Sequence, residues 1–105
     1  MDKREAIRIA KRYADTVSHY YKVEKVIMFG SYANGTQKKD SDIDLAIVLN
    51  SIDDKFDTQV ELLKLRTDED LLIEPHPFEI SDFSSSNPIA SEILKNGIEL
   101  EDFAA

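Results

Sequence analysis

The stretch FGSYANGTQKKDSDIDLAIV, residues 29–48, contains the features that decide the fold. A Gly-Ser pair directly follows one apolar run, and two aspartates, Asp42 and Asp44, stand two residues apart just before the next apolar run. Side chains two apart on a β-strand point to the same face of the sheet. The sequence therefore predicts two carboxylates side by side at the start of a strand.

These carboxylates and the Gly-Ser pair complement each other chemically. Two adjacent carboxylates repel each other and raise each other's pKa, and a hard cation such as Mg²⁺, which also takes substrate phosphates as ligands, offsets that repulsion. Gly30 permits a close approach of the backbone, and Ser31 offers a hydroxyl and an N–H at the start of a turn or short helix. On its own, an Asp-x-Asp pair at the start of a strand more often caps a turn than binds a metal. The joint appearance of both features beside two strands predicts a site for a metal-bound nucleoside triphosphate.

The hydrophobic pattern predicts an α/β fold, a single domain over residues 1–105 with a mixed sheet flanked by helices. Helices are expected over residues 3–21, 54–67 and 89–96, and strands over residues 23–29, 43–49 and 71–80, with a short strand at 98–100. Pro75 and Pro77 restrict the third strand to an edge of the sheet or to the geometry of a strand end. Gly97 is expected to end the last helix.

The predicted helices each have an expected inward face. In the first helix it comprises Ala6, Ala10, Tyr13, Val17 and the pair Tyr20/Tyr21. In the second it comprises Phe56, Val60 and Leu63, with Leu62 as a further candidate. Asp53 or Asp54 is the expected cap of the second helix.

Charge and composition exclude several classes of function. The net charge is −8, with +4 on residues 1–41 and −12 on residues 42–105, so the chain is a poor candidate for binding long nucleic acid, which normally requires a basic face. The acidic part is either a solvated surface or a surface for a basic partner. No apolar run approaches the roughly 20 residues of a membrane span, and the charged start is unlike a secretory signal. The absence of cysteine rules out disulfides and thiolate metal ligands but does not fix the compartment, and a cytoplasmic protein is the default expectation.

The pattern G-S-x-x-x-G followed by S-D-x-D-L resembles the nucleotidyltransferase superfamily that includes DNA polymerase beta. Here it spans residues 30–35 and 41–45. The short chain resembles the minimal nucleotidyltransferases, the antitoxins of HEPN/MNT toxin–antitoxin pairs. This resemblance implies an adenylyltransferase that uses ATP and Mg²⁺ and modifies a hydroxyl, expected to be a tyrosine, on a HEPN ribonuclease toxin.

The resemblance also implies roles for individual residues. Gly30, Ser31 and Ser41 would bind the nucleotide, and Asp42 and Asp44 would bind the metal. The family uses a third carboxylate from a neighbouring strand, both for the metal and as the base that activates the attacking hydroxyl. Glu74 and Glu79 are the candidates, and they cannot share a face of a regular strand. Glu74 is favoured because it directly follows the apolar run Leu71–Ile73.

The sequence leaves three questions undecided. Tyr32 and Asn34 stand where many relatives have an arginine, so a cationic contact to the triphosphate would have to come from Lys38 or Lys39. His76 is either a partly exposed strand residue or a group near the phosphates. Finally, the domain could mask a toxin without catalysis, or be the catalytic half of a two-chain small-molecule nucleotidyltransferase.

Overall fold

Helices and strands alternate along residues 1–103, which are the residues that the computed structural model describes. The elements are α1 (Lys3–Ser18), β1 (Val23–Phe29), α2 (Ser31–Asn34), β2 (Ile43–Leu49), α3 (Lys55–Lys64), β3 (Ile73–Glu79), α4 (Pro88–Asn96) and β4 (Ile98–Glu99), with short 3₁₀ turns at Asp68–Asp70 and Ile80–Asp82. None of the helices in this range has the length and apolar character needed to cross a membrane. The predicted α/β fold is confirmed.

The four strands form one mixed sheet in the order β3-β2-β1-β4. β1 is antiparallel to β2, and β2 is parallel to β3. The end of β1 and the starts of β2 and β3 therefore meet at one end of the sheet. In this register Asp44 pairs with Phe29 on one side and with Glu74 on the other. The topology thus brings the Gly-Ser pair, the aspartates and Glu74 together.

Both faces of the sheet are covered. One face packs against α1 and α3 in a core that includes Met28, Leu45, Ile47 and Leu62. The opposite face packs against α4 through residues that include Ile27, Ala46, Val48, Phe78 and Ile93. A strand buried on both faces needs an apolar sequence throughout. In β2, IDLAIVL, Asp44 is the single exception, so it interrupts a strand that is otherwise fully buried.

The first helix ends earlier than predicted. α1 begins after Asp2, whose carboxylate accepts the Glu5 N–H at 2.8 Å, and it ends at Ser18 rather than at residue 21. Tyr20 is 68% exposed, so its expected place in the inward stripe is wrong. The chain leaves the helix here because β1 begins only four residues after His19 and a turn must fit between them. Tyr21 is half-buried and donates to Glu61 of α3 at 2.7 Å.

The second helix buries only part of the predicted inward face, which included Leu62 as well as Phe56. Phe56 is 74% exposed, whereas Thr58 and Leu62 are buried. The Tyr13 hydroxyl of α1 donates to the Leu62 carbonyl at 2.5 Å, and the Thr58 hydroxyl donates to the Asp54 carbonyl at 2.9 Å. The Tyr13 contact places α3 against α1, and the Gln59 side chain of α3 donates to the Pro75 carbonyl of β3. The expected cap, Asp54, is confirmed, since it accepts the Asp57 N–H at 2.9 Å.

β3 lies at an edge of the sheet, as its prolines predicted. The Ile43 N–H donates to the Leu72 carbonyl, so odd-numbered residues of β3 present their backbone groups to the outside. Pro75 and Pro77 have no N–H to present there. The outward carbonyls of Ile73 and Pro75 accept from the side chains of Arg66 (3.2 Å) and Gln59 (3.1 Å).

An ion-pair network fixes the turn that leads into β3. Arg12 of α1 contacts Asp70 at 2.5 Å and Glu69 at 2.9 Å, and Arg8 contacts Glu69 at 2.6 Å. Asp70 is 1% exposed, and its second oxygen accepts the Thr67 N–H at 3.0 Å. A buried carboxylate is tolerated only with such partners. The network therefore anchors the segment that precedes Glu74.

Gly97 ends α4 as predicted. Its φ is −81°, so the backbone is not left-handed, and glycine is needed here because there is no room for a side chain. A Cβ at this position would lie 2.6 Å from the Ile93 carbonyl oxygen and 3.1 Å from that of Met28. We expect Gly97→Ala to lower the free energy of unfolding by about 1–3 kcal/mol, because the backbone of α4 or β1 must shift. Urea denaturation would measure the loss. Asn96→Ala, at an exposed position next to it, is the control and should change stability by less than about 0.5 kcal/mol. Equal stability of Gly97→Ala and the wild type would contradict this packing.

Candidate active site

Three potential metal ligands converge at the starts of β2 and β3. One ligand atom each from Asp44, Glu74 and His76 lie within 4.8 Å of one another, and all three residues are partly exposed. His76 Nε2 lies 3.1 Å from Asp44 Oδ1. We call these residues the trio. The parallel register pairs Asp44 with Glu74 and Ala46 with His76, so the three side chains share one face of the sheet.

Gly30 borders the trio and is required there for two reasons. Its φ of +76° lies in the region that favours glycine. In addition, a Cβ at this position would overlap the Asp44 carboxylate, with Oδ2 as the nearest atom. Asp44 therefore presents Oδ2 to the Gly30 backbone and Oδ1 to His76. The Gly-Ser turn and the trio form one continuous site.

Asp42 lies beside Glu74 but outside the trio. It directly precedes β2 and is exposed. Burial raises the pKa of Glu74. The neighbouring Asp42 carboxylate, which approaches Glu74 within hydrogen-bonding range, raises this pKa further. Asp44 also raises it, whereas His76 lowers it. Crowded carboxylates thus disfavour the ionised form of Glu74. A divalent cation would relieve this repulsion.

Glu79 lies at the opposite end of β3 from the trio. Its carboxylate accepts the Ile52 N–H at 2.8 Å and the Ser81 hydroxyl at 2.9 Å. These hydrogen bonds lower the pKa of Glu79, because they stabilise its charged form. Glu79 therefore ties β3 to the loop after β2. Of the two candidates for the third carboxylate, the fold brings only Glu74 to the aspartates.

The two predicted nucleotide-binding serines have different surroundings. Ser31 is the first residue of α2, beside Gly30, and is partly exposed. The Ser41 hydroxyl instead accepts the Lys38 N–H at 2.7 Å and closes the loop before Asp42. Within the described residues, Ser41 therefore holds the loop, and a direct contact with the nucleotide stays a prediction. Lys39 lies exposed on the same loop.

The position after Ser31 has a structural role. Tyr32 is fully buried in the core shared with α1, and its hydroxyl has no hydrogen-bond partner within residues 1–103. A charged arginine would not be tolerated in this pocket without a partner. Tyr32 is therefore a core residue, and Asn34, which is exposed, ends α2.

Sequence reasoning left His76 undecided, and the structure places it in the trio. Its side chain is 31% exposed, and its ring packs against Phe29 with the ring centroids 5.2 Å apart. The sequence did indicate that His76 lies on the same strand face as Glu74, because it follows Glu74 by two residues. What the sequence could not give was the register that puts this face beside Asp44.

The trio and Asp42 offer a donor set that fits a divalent cation. Carboxylate oxygens are the ligands that Mg²⁺ and Mn²⁺ prefer, and a neutral imidazole nitrogen is also a common metal ligand. The spread of 4.8 Å is within what small side-chain rotations can close around one ion.

Comparison with known sequences decides the family. The profile of the family described as "Polymerase beta, Nucleotidyltransferase" matches residues 11–102. The chain belongs to this family. The matched residues include the Gly-Ser turn, the aspartates and β3, so the acidic end of the sheet lies within the part of the chain that the family profile matches.

Individual relatives agree with this assignment. A segment of 43 residues, 41% of the chain, is 40% identical to "Putative protein adenylyltransferase MJ1215" of Methanocaldococcus jannaschii and covers half of that protein's length. The crystal structure of "a putative nucleotidyltransferase" from Sulfolobus solfataricus has the same fold, with a TM-score of 0.68 and 19% identity over 92% of this chain and 80% of that one. A toxin–antitoxin structure with AMP-PNP gives a TM-score of 0.55 and 19% identity over 96% of this chain and 73% of that one.

Proposed function

We propose that the chain is a Mg²⁺-dependent adenylyltransferase that transfers AMP from ATP to a hydroxyl of a partner protein. The observation that carries this proposal is the acidic cluster of Asp42, Asp44 and Glu74 beside the Gly30-Ser31 turn. Membership in the nucleotidyltransferase family and the named adenylyltransferase relative support it. A cytoplasmic location is part of this proposal.

The roles of the residues follow from their positions. Asp42, Asp44 and Glu74 would hold Mg²⁺, which would neutralise charge on the triphosphate and orient it. Gly30 lets the triphosphate approach the backbone, and the Ser31 hydroxyl would donate to a phosphate oxygen. The acceptor oxygen attacks the α-phosphorus, the bond from that phosphorus to the bridging oxygen of the β-phosphate breaks, and pyrophosphate leaves. Glu74 takes the proton of the acceptor hydroxyl.

The acceptor, in this proposal, is supplied by another protein. The cavities near the cluster are open: one of about 170 Å³ lies beside Gly30, and one of about 320 Å³, at the lower limit for a small-molecule pocket, lies beside His76. Ligand pockets for small molecules usually range from about 300 to 1,000 Å³ and enclose most of the ligand. A partner that positions its own hydroxyl at the α-phosphate needs no such pocket.

We propose a HEPN ribonuclease toxin as this partner, with a tyrosine as acceptor. The structural likeness to a toxin–antitoxin complex supports a partner of this kind. AMP on a residue near a ribonuclease site adds bulk and negative charge where RNA phosphates must bind, and like charges repel. The net charge of −8 argues against long nucleic acid as a direct ligand of the chain itself.

Two measurements test this function: the amount of toxin that one antitoxin inactivates, and the mass of the toxin afterwards. With ATP and Mg²⁺, a catalytic antitoxin should inactivate a molar excess of a cognate toxin, and mass spectrometry should find one or more added AMP groups on the toxin. Radiolabel from α-labelled ATP should appear on protein. Neutralisation that requires one antitoxin per toxin and leaves the toxin mass unchanged would favour masking. Label on a small molecule would instead favour a two-chain small-molecule transferase.

A further inference from the structure

We infer that His76 binds the metal directly through Nε2 and gives the centre a preference for Mn²⁺ over Mg²⁺. This inference rests on the proposed function only in placing a divalent cation at the cluster. The residues of the trio supply two carboxylates and one imidazole, whereas Mg²⁺ favours a shell made of oxygen ligands. Mn²⁺ shares the preference for carboxylates and, as a transition ion, also accepts an imidazole nitrogen.

The distance between Asp44 and His76 fits two ligands of one ion. Two ligands at right angles, each about 2.1 Å from a cation, are about 3.0 Å apart. Nε2 of His76 and Oδ1 of Asp44 are 3.1 Å apart. Ligands on opposite sides of the ion would be about 4.2 Å apart, and all three ligand atoms lie within 4.8 Å. A small rotation of Glu74 would complete the set.

The surroundings hold the imidazole in this position. The ring packs against Phe29, which is paired with Asp44 in the sheet. Ala46, the partner of His76 on β2, carries only a methyl group and leaves the ring room to lean toward Asp44. Nε2, and not Nδ1, is the ring nitrogen that lies within hydrogen-bond distance of the Asp44 carboxylate.

The experiment is pulsed electron paramagnetic resonance of Mn²⁺ bound to the untagged protein. The chain has two histidines, so a ¹⁴N coupling from a bound imidazole must come from His76 or His19. His19 lies at the end of α1, with Nδ1 2.8 Å from the Asp15 carbonyl. We expect the wild type and His19→Gln to show this coupling and His76→Gln to lose it.

Affinities give the second measurement. Loss of a group that supports a metal ligand typically costs about 10–100-fold in metal affinity, and we expect His76→Gln to weaken Mn²⁺ binding at least this much. Its Mg²⁺ affinity should change little, and circular dichroism should show the wild-type fold. Absence of a ¹⁴N coupling in the wild type, its persistence in His76→Gln, or equal weakening of both ions would each overturn the inference. A coupling in a protein that transfers no AMP would refute the proposed function and leave the metal ligand established.

Discussion

Replacing Asp42 and Asp44 together by asparagine is expected to abolish Mg²⁺-dependent binding of ATP while the fold persists. The amide groups keep the size of the side chains but remove both negative charges that would attract the cation. Calorimetric titration with ATP, with and without Mg²⁺, measures the effect. Without metal the double variant should melt at a higher temperature than the wild type, because the repulsion around Glu74 is relieved.

A charge-matched control is available at the other end of the same strands. Asp53 follows β2 and Asp82 follows β3, and both are exposed. Asp53→Asn with Asp82→Asn removes the same total charge and should leave ATP binding unchanged. Mg²⁺-dependent binding by the Asp42/Asp44 double variant at wild-type affinity would refute the proposed metal site.

Glu74→Gln is expected to retain nucleotide binding and to lose transfer by about 10²–10⁴-fold, the usual contribution of a general base. Glutamine cannot take the proton of the acceptor hydroxyl. The rate of AMP transfer at saturating ATP, measured with labelled nucleotide, tests this.

Glu79→Gln is the matched control for this substitution. Glu79 is on the same strand, but its hydrogen bonds to Ile52 and Ser81 lie far from the trio. This variant should transfer AMP at the wild-type rate. It should lose a little thermal stability, because hydrogen bonds to a neutral amide are weaker than those to the Glu79 carboxylate. The opposite result, with activity lost in Glu79→Gln and kept in Glu74→Gln, would show that the assignment of the base is wrong.

The sequence predicted the sheet better than the helix faces. β1 and β2 have the predicted bounds because each is a short apolar run that ends at a polar segment. α3 is different, since hydrophobic spacing did not choose between Leu62, which is buried, and Phe56, which is exposed. The choice depends on where α1 and the edge of β3 lie, which no local pattern encodes.

The site was predictable to the extent that it lies on adjacent strands. The spacing of Asp42 and Asp44 and the glycine before Ser31 were visible in the sequence because each occupies a fixed place relative to a strand. The contact between His76 and Asp44 was not visible, because it depends on a parallel register between strands that are 30 residues apart. The buried position of Tyr32 likewise emerges only from the packing of α2 on α1.

The proline edge of β3 determines how another chain can approach the domain. A foreign strand that aligned along Ile73–Pro77 would find no N–H groups at Pro75 and Pro77, and two carbonyls already occupied by Arg66 and Gln59. Exposed strand edges are the usual starting point for aggregation and strand addition, and this edge resists both. Recognition on this side must therefore use side chains, which lets a partner dock close to the acidic cluster without extending the sheet and keeps copies of the domain from polymerising through this edge.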